Sequence, residues 1–186
     1  MRYSLYVVLA STLIGLGCTA PTTESPSKST TVTKRTGRPE DSFEVTLPTG
    51  PNWQILQRGP LGDDSDTFVV AVADAARSFQ LTVMVLPSLD DAPTLESMKA
   101  GWEKGFLKKA TRKKSSEDIT IGGQPAYRLT AALDGADGTS HEVVGILIVA
   151  EGWNFTIAIT KSGENILDDP EVRQFVESFK IVAKRP

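Results

Sequence analysis

Residues 67–73 and 79–86 are two runs of β-favouring residues in which apolar side chains occupy both alternating positions rather than one. A strand sends successive side chains to opposite faces, so a run apolar throughout must be covered from both sides. That requirement excludes a sheet with one wet face and predicts a sheet with further structure stacked on each side. Asp74-Ala75-Ala76-Arg77-Ser78 between the runs predicts a hairpin.

Two segments can supply the cover. Across residues 93–111, Leu95, Met98, Trp102, Phe106 and Ala110 recur at three and four, with Lys99, Glu103, Lys104 and Lys108 elsewhere around the wheel. That period predicts an amphipathic helix, with Pro93 in its first turn and basic residues at its negative pole. Asp169-Pro170-Glu171 predicts the start of a second, short helix capped by Asp169, with Val172, Phe175, Val176 and Phe179 facing inward. Between the helices, residues 119–121, 127–133, 142–150 and 153–160 read as a four-strand meander. Its turns are Gly122-Gly123, residues 135–138 and Glu151-Gly152. Upstream, Phe43, Val45 and Leu47 alternate with polar residues as in a strand, and Pro48-Thr49-Gly50-Pro51 turns the chain into residues 53–56. The predicted class is α+β: an antiparallel β-sheet sandwiched by helices in three layers.

Ahead of this domain, at residues 40–186, lie two segments of different character. Met1-Arg2 precedes an apolar stretch from Leu5 to Leu16 and then Gly17-Cys18. One positive charge, a short apolar run and small residues before a Cys form the layout of a secretory signal. The run contains Ser11 and Thr12 and falls short of the roughly 20 apolar residues that a spanning helix needs. Gly15-Leu16-Gly17-Cys18 resembles a bacterial lipobox. The resemblance implies a lipoprotein signal peptide at residues 1–17, lipid on Cys18, and a protein anchored in a bacterial cell envelope, on the outer membrane facing the periplasm where one exists. Cleavage after Ala20, discarding Cys18, is the alternative. Residues 18–39 then hold ten Ser or Thr residues with Pro21 and Pro26, too little apolar surface to repay ordering. They read as a tether with a root-mean-square span of roughly 25 Å. The tether carries Lys28, Lys34, Arg35 and Arg38 against Glu24, while residues 40–186 carry 15 basic and 22 acidic residues. The formal charge of −3 thus joins a cationic tether to an anionic domain.

Composition narrows the chemistry. One Cys and one His leave no internal disulfide and no His–His metal pair, so neither a metal nor a cofactor is expected. The acidic balance argues against nucleic acid as a partner. His141 precedes Glu142 without the second His of a zinc-protease pair, and no nucleophile elbow or P-loop occurs. Asp63-Asp64-Ser65-Asp66 reads as a solvated turn, because Phe68, Val69 and Val70 stand where a calcium loop needs later ligands. Asn154-Phe155-Thr156 fits a glycosylation pattern but lies in a predicted strand. Trp53, Trp102, Trp153, Phe106 and Phe155 fall on inward-facing positions, as core packing requires. The strongest local charge feature is Lys108, Lys109, Arg112, Lys113 and Lys114, five basic residues in seven. It reads either as a charged helix end or as a docking patch for an acidic partner, anionic lipid or anionic glycan.

Four segments in order carry a family likeness: Phe43-Glu44-Val45-Thr46-Leu47-Pro48 with Gly50 and Trp53; Ile121-Gly122-Gly123-Gln124-Pro125-Ala126-Tyr127-Arg128-Leu129; Gly152-Trp153-Asn154-Phe155-Thr156-Ile157; and Val176-Glu177-Ser178-Phe179. Together they resemble the PsbP-like superfamily (PsbP- and DcrB-related), which includes many bacterial lipoproteins, across about residues 42–182. The resemblance implies an α/β/α sandwich, no shared enzymatic activity, and a role in binding or assembly. No catalytic residue follows from it. The expected function is a non-enzymatic, membrane-anchored protein-binding or assembly module with an envelope protein as partner. The alternative is a carrier holding a small apolar ligand between sheet and helix, and a weaker one is a hydrolase with an unmarked site.

Overall fold

The computed structural model describes residues 38–86, 93–110, 112–134, 138–163 and 165–182. The signal peptide expected at residues 1–17, Cys18 and residues 19–37 of the tether lie outside these. The described chain runs β1 (Phe43–Glu44), β2 (Gln54–Leu61), β3 (Asp64–Ala73), β4 (Arg77–Val85), α1 (Leu95–Phe106), β5 (Arg112–Ile121), β6 (Gln124–Asp134), β7 (Ser140–Ala150), β8 (Trp153–Ser162), α2 (Pro170–Ser178) and β9 (Lys180–Ile181). Short 3-10 turns stand at Pro39–Asp41, Leu107–Lys109 and Ile166–Asp168. Among the described residues, no helix is long and apolar enough to cross a membrane.

One sheet organises everything else. Its seven strands are antiparallel in the order β2-β3-β4-β8-β7-β6-β5. Consecutive strands are neighbours except at β4, which pairs with β8. The chain must therefore travel from the middle of the sheet to its far edge before the meander β5 to β8 brings it back. α1 lies in that crossing, so it is bound to cover one face.

Strand β7 shows why both faces need cover. Val143 and Leu147 point toward α1, where they pack with Met98, Trp102, Phe106, Leu129 and Ala158. Val144, Ile146 and Ile148 point the other way, into the larger core formed with Phe79, Leu81, Phe155, Ile157, Val172, Phe175 and Phe179. On the α2 side, Phe175 meets Phe79 at 5.0 Å between ring centroids and Phe179 meets Phe155 at 5.2 Å, nearly edge-on. Asp169 caps α2 as its spacing predicts, accepting the Glu171 N–H at 2.9 Å.

Four sequence expectations are corrected. Phe43, Val45 and Leu47 are buried, but only Phe43–Glu44 forms a ladder, against β9. Their alternation reflects an extended segment packed over the α2-side core, not a strand of the main sheet. The α1-side face of strand β4 is more polar than its other face: Phe79, Leu81 and Val83 are buried, whereas Gln80, Thr82 and Met84 are half-buried, Gln80 bonding to Thr82 at 3.2 Å. α1 crosses β6 and β7, so the α1-side face of β4 needs less apolar surface. Trp53 is half-buried rather than interior. Finally, the helix predicted for 93–111 ends at Phe106, and Arg112, Lys113 and Lys114 open a strand instead of closing a helix.

Candidate functional site

The basic cluster gathers at the corner where α1 hands over to β5. Lys108 and Arg112 are exposed there, and the side chain of Lys109 lies outside the described residues. The next two cations are held. Lys113 Nζ stands 2.6 Å from Glu103 Oε1, and the other Glu103 oxygen accepts the Tyr127 hydroxyl. Those two hydrogen bonds, from Lys113 first and Tyr127 second, lower the pKa of Glu103, and the same contact raises that of Lys113. Lys114 Nζ is 3.2 Å from Glu142 Oε1, a buried carboxylate whose second oxygen takes the Ile166 N–H at 2.6 Å. Lys113 thus ties α1 to one face of the sheet, and Lys114 ties the 166–168 turn to the other.

A second charged cluster was invisible in the sequence. Arg77, at the start of β4, lies 2.7 Å from Asp74, 3.3 Å from Asp169 and in contact with Glu171, while its guanidinium sits 4.8 Å from the centre of the Trp53 ring. Trp53 Nε1 donates to Glu171 at 3.3 Å. Burial alone would raise the pKa of Asp74, yet hydrogen bonds from Arg77 and from the Ala76 and Arg77 amides outweigh it and leave the carboxyl below its usual range. Asp169 is likewise lowered, burial being overcome by the Glu171 and Val172 amides and then by Arg77 and Lys161. These groups fasten the β3–β4 turn, the loop before β2 and α2 to one another. Asp74 could have been read as a turn residue, but its partners at 169 and 171 have no local signal.

His141 shares its ring nitrogens with the hydroxyls of Thr139 at 3.1 Å and Ser162 at 3.3 Å. Among the described residues, no three His, Cys, Asp or Glu side chains converge on a metal-sized site. Asn154 is buried in β8, with its carbonyl oxygen lacking a hydrogen-bond partner.

A groove provides the remaining feature. α2 is nine residues long and packs toward the centre of the sheet, so the β5–β6 border on that side stays uncovered. The result is an open cavity of about 460 Å³. Its apolar lining is Ile119, Ile121, Leu167, Val172 and Val176, with Arg128, Arg173 and Glu177 around it. Gly122 closes one end. Its φ of +57° and the Phe179 carbonyl oxygen, 2.7 Å from where a Cβ would stand, leave no room for a side chain. Arg128 is anchored to Glu117 at 2.8 Å, and Arg173 donates to the Asp168 carbonyl at 3.1 Å. Among the described residues, the groove lining holds no Ser, Cys or His, and its one hydroxyl is that of Thr120.

No protein-family model matches the sequence, and a search of curated proteins finds no match. Among solved structures, the chain is similar to the solution structure of cyanobacterial PsbP (CyanoP) from Synechocystis sp. PCC 6803. The TM-score is 0.57 at 14% identity, covering 90% of this chain and 99% of that one. It is also similar to a protein from Bacteroides thetaiotaomicron VPI-5482, with a TM-score of 0.50 at 12% identity, covering 80% of this chain and 49% of that one. A lower overlap, TM-score 0.47 at 15% identity over 83% of this chain and 91% of that one, relates it to LpqN, described as involved in cell envelope biogenesis of Mycobacterium tuberculosis. The likeness to CyanoP is one of fold: this chain has the PsbP-like α+β architecture that its four short motifs predict, and no residue role passes across at such identity.

Proposed function

We propose that this chain is a lipid-anchored protein of a bacterial cell envelope whose PsbP-like domain is a non-catalytic binding or assembly module. The observation that carries the binding part is the groove between β5–β6 and α2. It combines an apolar lining with a charged rim, the combination expected of a recognition surface. The lipobox-like Gly15-Leu16-Gly17-Cys18 and the Ser/Thr-rich tether support the anchoring part. Lys108 and Arg112 are exposed near the start of β5, the end away from the groove, and offer an acidic partner that spans the strand a second contact. The partner is an envelope protein. The same apolar lining favours one alternative, a small apolar ligand lying along Ile119 and Ile121 against Val176.

A photoreactive residue placed in cells at Arg173, on the groove rim, is expected to crosslink to one discrete envelope protein. The same probe at Ser97, exposed on α1 across the sheet, is expected to capture nothing discrete. Adding Lys108→Glu and Arg112→Glu is expected to weaken the Arg173 crosslink several-fold through lost electrostatic attraction. Equal crosslinking from both probe sites contradicts a groove-centred interface. A co-purifying small molecule in native mass spectra, without a protein crosslink, transfers the assignment to the carrier alternative.

A further inference from the structure

The two edges of the main sheet are built differently. On β2 the pairing with β3 is broken by two register shifts, and Pro60 has no N–H to offer a further strand. β5 is ten residues long, has one register shift between Lys113 and Ser115, and runs in regular register from Ser115 to Ile121. Its residues Arg112 to Asp118 are all exposed. An exposed edge of that length is a template for another strand unless its charges forbid the pairing.

The charges on β5 are not mixed. Arg112, Lys113 and Lys114 occupy one end, Glu117 and Asp118 the other, and Ser115-Ser116 separates them. A strand that is cationic at one end and anionic at the other repels a parallel copy of itself. An antiparallel copy places each end opposite its complement. We infer that β5 is a homodimer edge: two copies of this chain pair antiparallel through β5 about a two-fold axis at Ser116, joining their sheets into one.

Geometry selects that axis. In a two-fold antiparallel pair with the axis normal to the sheet, one residue lies opposite its own copy. Centring on Asp118, the middle of the regular stretch, would set two carboxylates face to face, which cross-strand pairing penalises. Moving the axis by two residues keeps the same face of the strand and sets Ser116 opposite Ser116, two small hydroxyls able to bond each other. Counted through the bulge, where Lys114 has no register partner on β6, Asp118 then lies opposite Lys113 of the partner subunit, both on the face covered by α1. Within one subunit Asp118 is already held by Lys99 at 2.6 Å, and Lys113 by Glu103 at 2.6 Å. Across the interface these pairs join into a row of alternating charge, Lys99 and Asp118 of one subunit continuing into Lys113 and Glu103 of the partner subunit. Two such rows, related by the axis, specify register and orientation, while the backbone ladder supplies the hydrogen bonds. The pairing also sets both α2 grooves on the same face of the joined sheet.

Sedimentation of the full chain in density-matched detergent is expected to show a dimer. Ser116→Cys is expected to give a disulfide-linked dimer on mild oxidation, whereas Thr120→Cys, on the same face but away from the axis, stays uncrosslinked. Asp118→Lys is expected to raise the dimer Kd at least about tenfold, because two attractive cross-strand pairs become repulsive. Circular dichroism of each variant checks that the sheet is intact. A monomeric wild-type chain, crosslinking at Thr120→Cys in place of Ser116→Cys, or an unchanged Kd for a folded Asp118→Lys overturns the assignment.

Discussion

Gly145→Val is expected to destabilise the domain by about 3 kcal/mol or more, the upper part of the range for overpacking a closed core. Gly145 sits on β7 directly beneath α1, and a Cβ there would stand 2.6 Å from Phe106 Cζ and 2.8 Å from Trp102 Cη2. Neither ring can swing aside. Trp102 and Phe106 stack on each other at 5.1 Å, Trp102 is fully buried, and its indole N–H is committed to Thr156 Oγ1 at 3.2 Å. The closest approach of α1 to the sheet thus depends on a missing side chain. Thermal or urea unfolding of the variant measures the cost. A double-mutant cycle identifies the cause: Phe106→Ala alone is expected to cost about 3–5 kcal/mol. Combined with Gly145→Ala it is expected to cost less than the sum of the two single changes, because the added methyl occupies part of the space vacated by the ring. Strict additivity would show that the contact between them is not the constraint.

Arg77→Ala is the second large effect. It removes the cation shared by Asp74, Asp169 and Glu171 and leaves Lys161, 3.6 Å from Asp169, as the remaining cation of the cluster. Asp74 and Asp169 are only 10% exposed, so their charges are poorly screened. The expected loss is about 3 kcal/mol, the lower end for breaking a buried pair, since Arg77 keeps 20% of its side chain exposed. Arg77→Lys keeps the charge but loses the two-nitrogen grip on Asp74 and the face over Trp53, and is expected to recover only part. The pH dependence follows from the carboxylates. Both are lowered in the folded state, so their contribution is present above the ordinary carboxylate pKa and is lost as pH falls through the folded values. Wild-type stability is therefore expected to drop steeply below about pH 4, and Arg77→Ala to flatten that drop. Acid-unfolding curves of equal steepness would show that the carboxylates stay charged without Arg77.

Local rules carried a large share of the architecture. The α2 start was legible because Asp169 and Pro170 are adjacent cap and first-turn residues. The β7–β8 hairpin was legible because Glu151-Gly152 interrupts two apolar runs. What escaped was set by neighbours distant in sequence or by exposure. The first seven residues of β5, Arg112 to Asp118, contain nothing apolar, since an edge strand in water has no core to alternate against. The helical period ran past Phe106 because Leu107 to Lys109 continue it as a 3-10 turn, so the basic cluster was assigned to the wrong element. Phe43, Val45 and Leu47 alternate through packing without laddering in the main sheet, a distinction periodicity does not make. The Arg77 cluster joins residues 92 positions apart, and the groove results from a short α2 laid across a wide sheet. No residue pattern announces either one.

The central claim, a module tethered to the envelope by lipid, rests most directly on Cys18. Mass spectrometry of the N-terminal peptide from the membrane fraction is expected to show Cys18 as the first residue, carrying diacylglycerol and an N-acyl chain, and Cys18→Ser is expected to move the protein out of that fraction. A mature chain beginning at the unmodified Pro21, with Cys18→Ser leaving its distribution unchanged, would contradict the account.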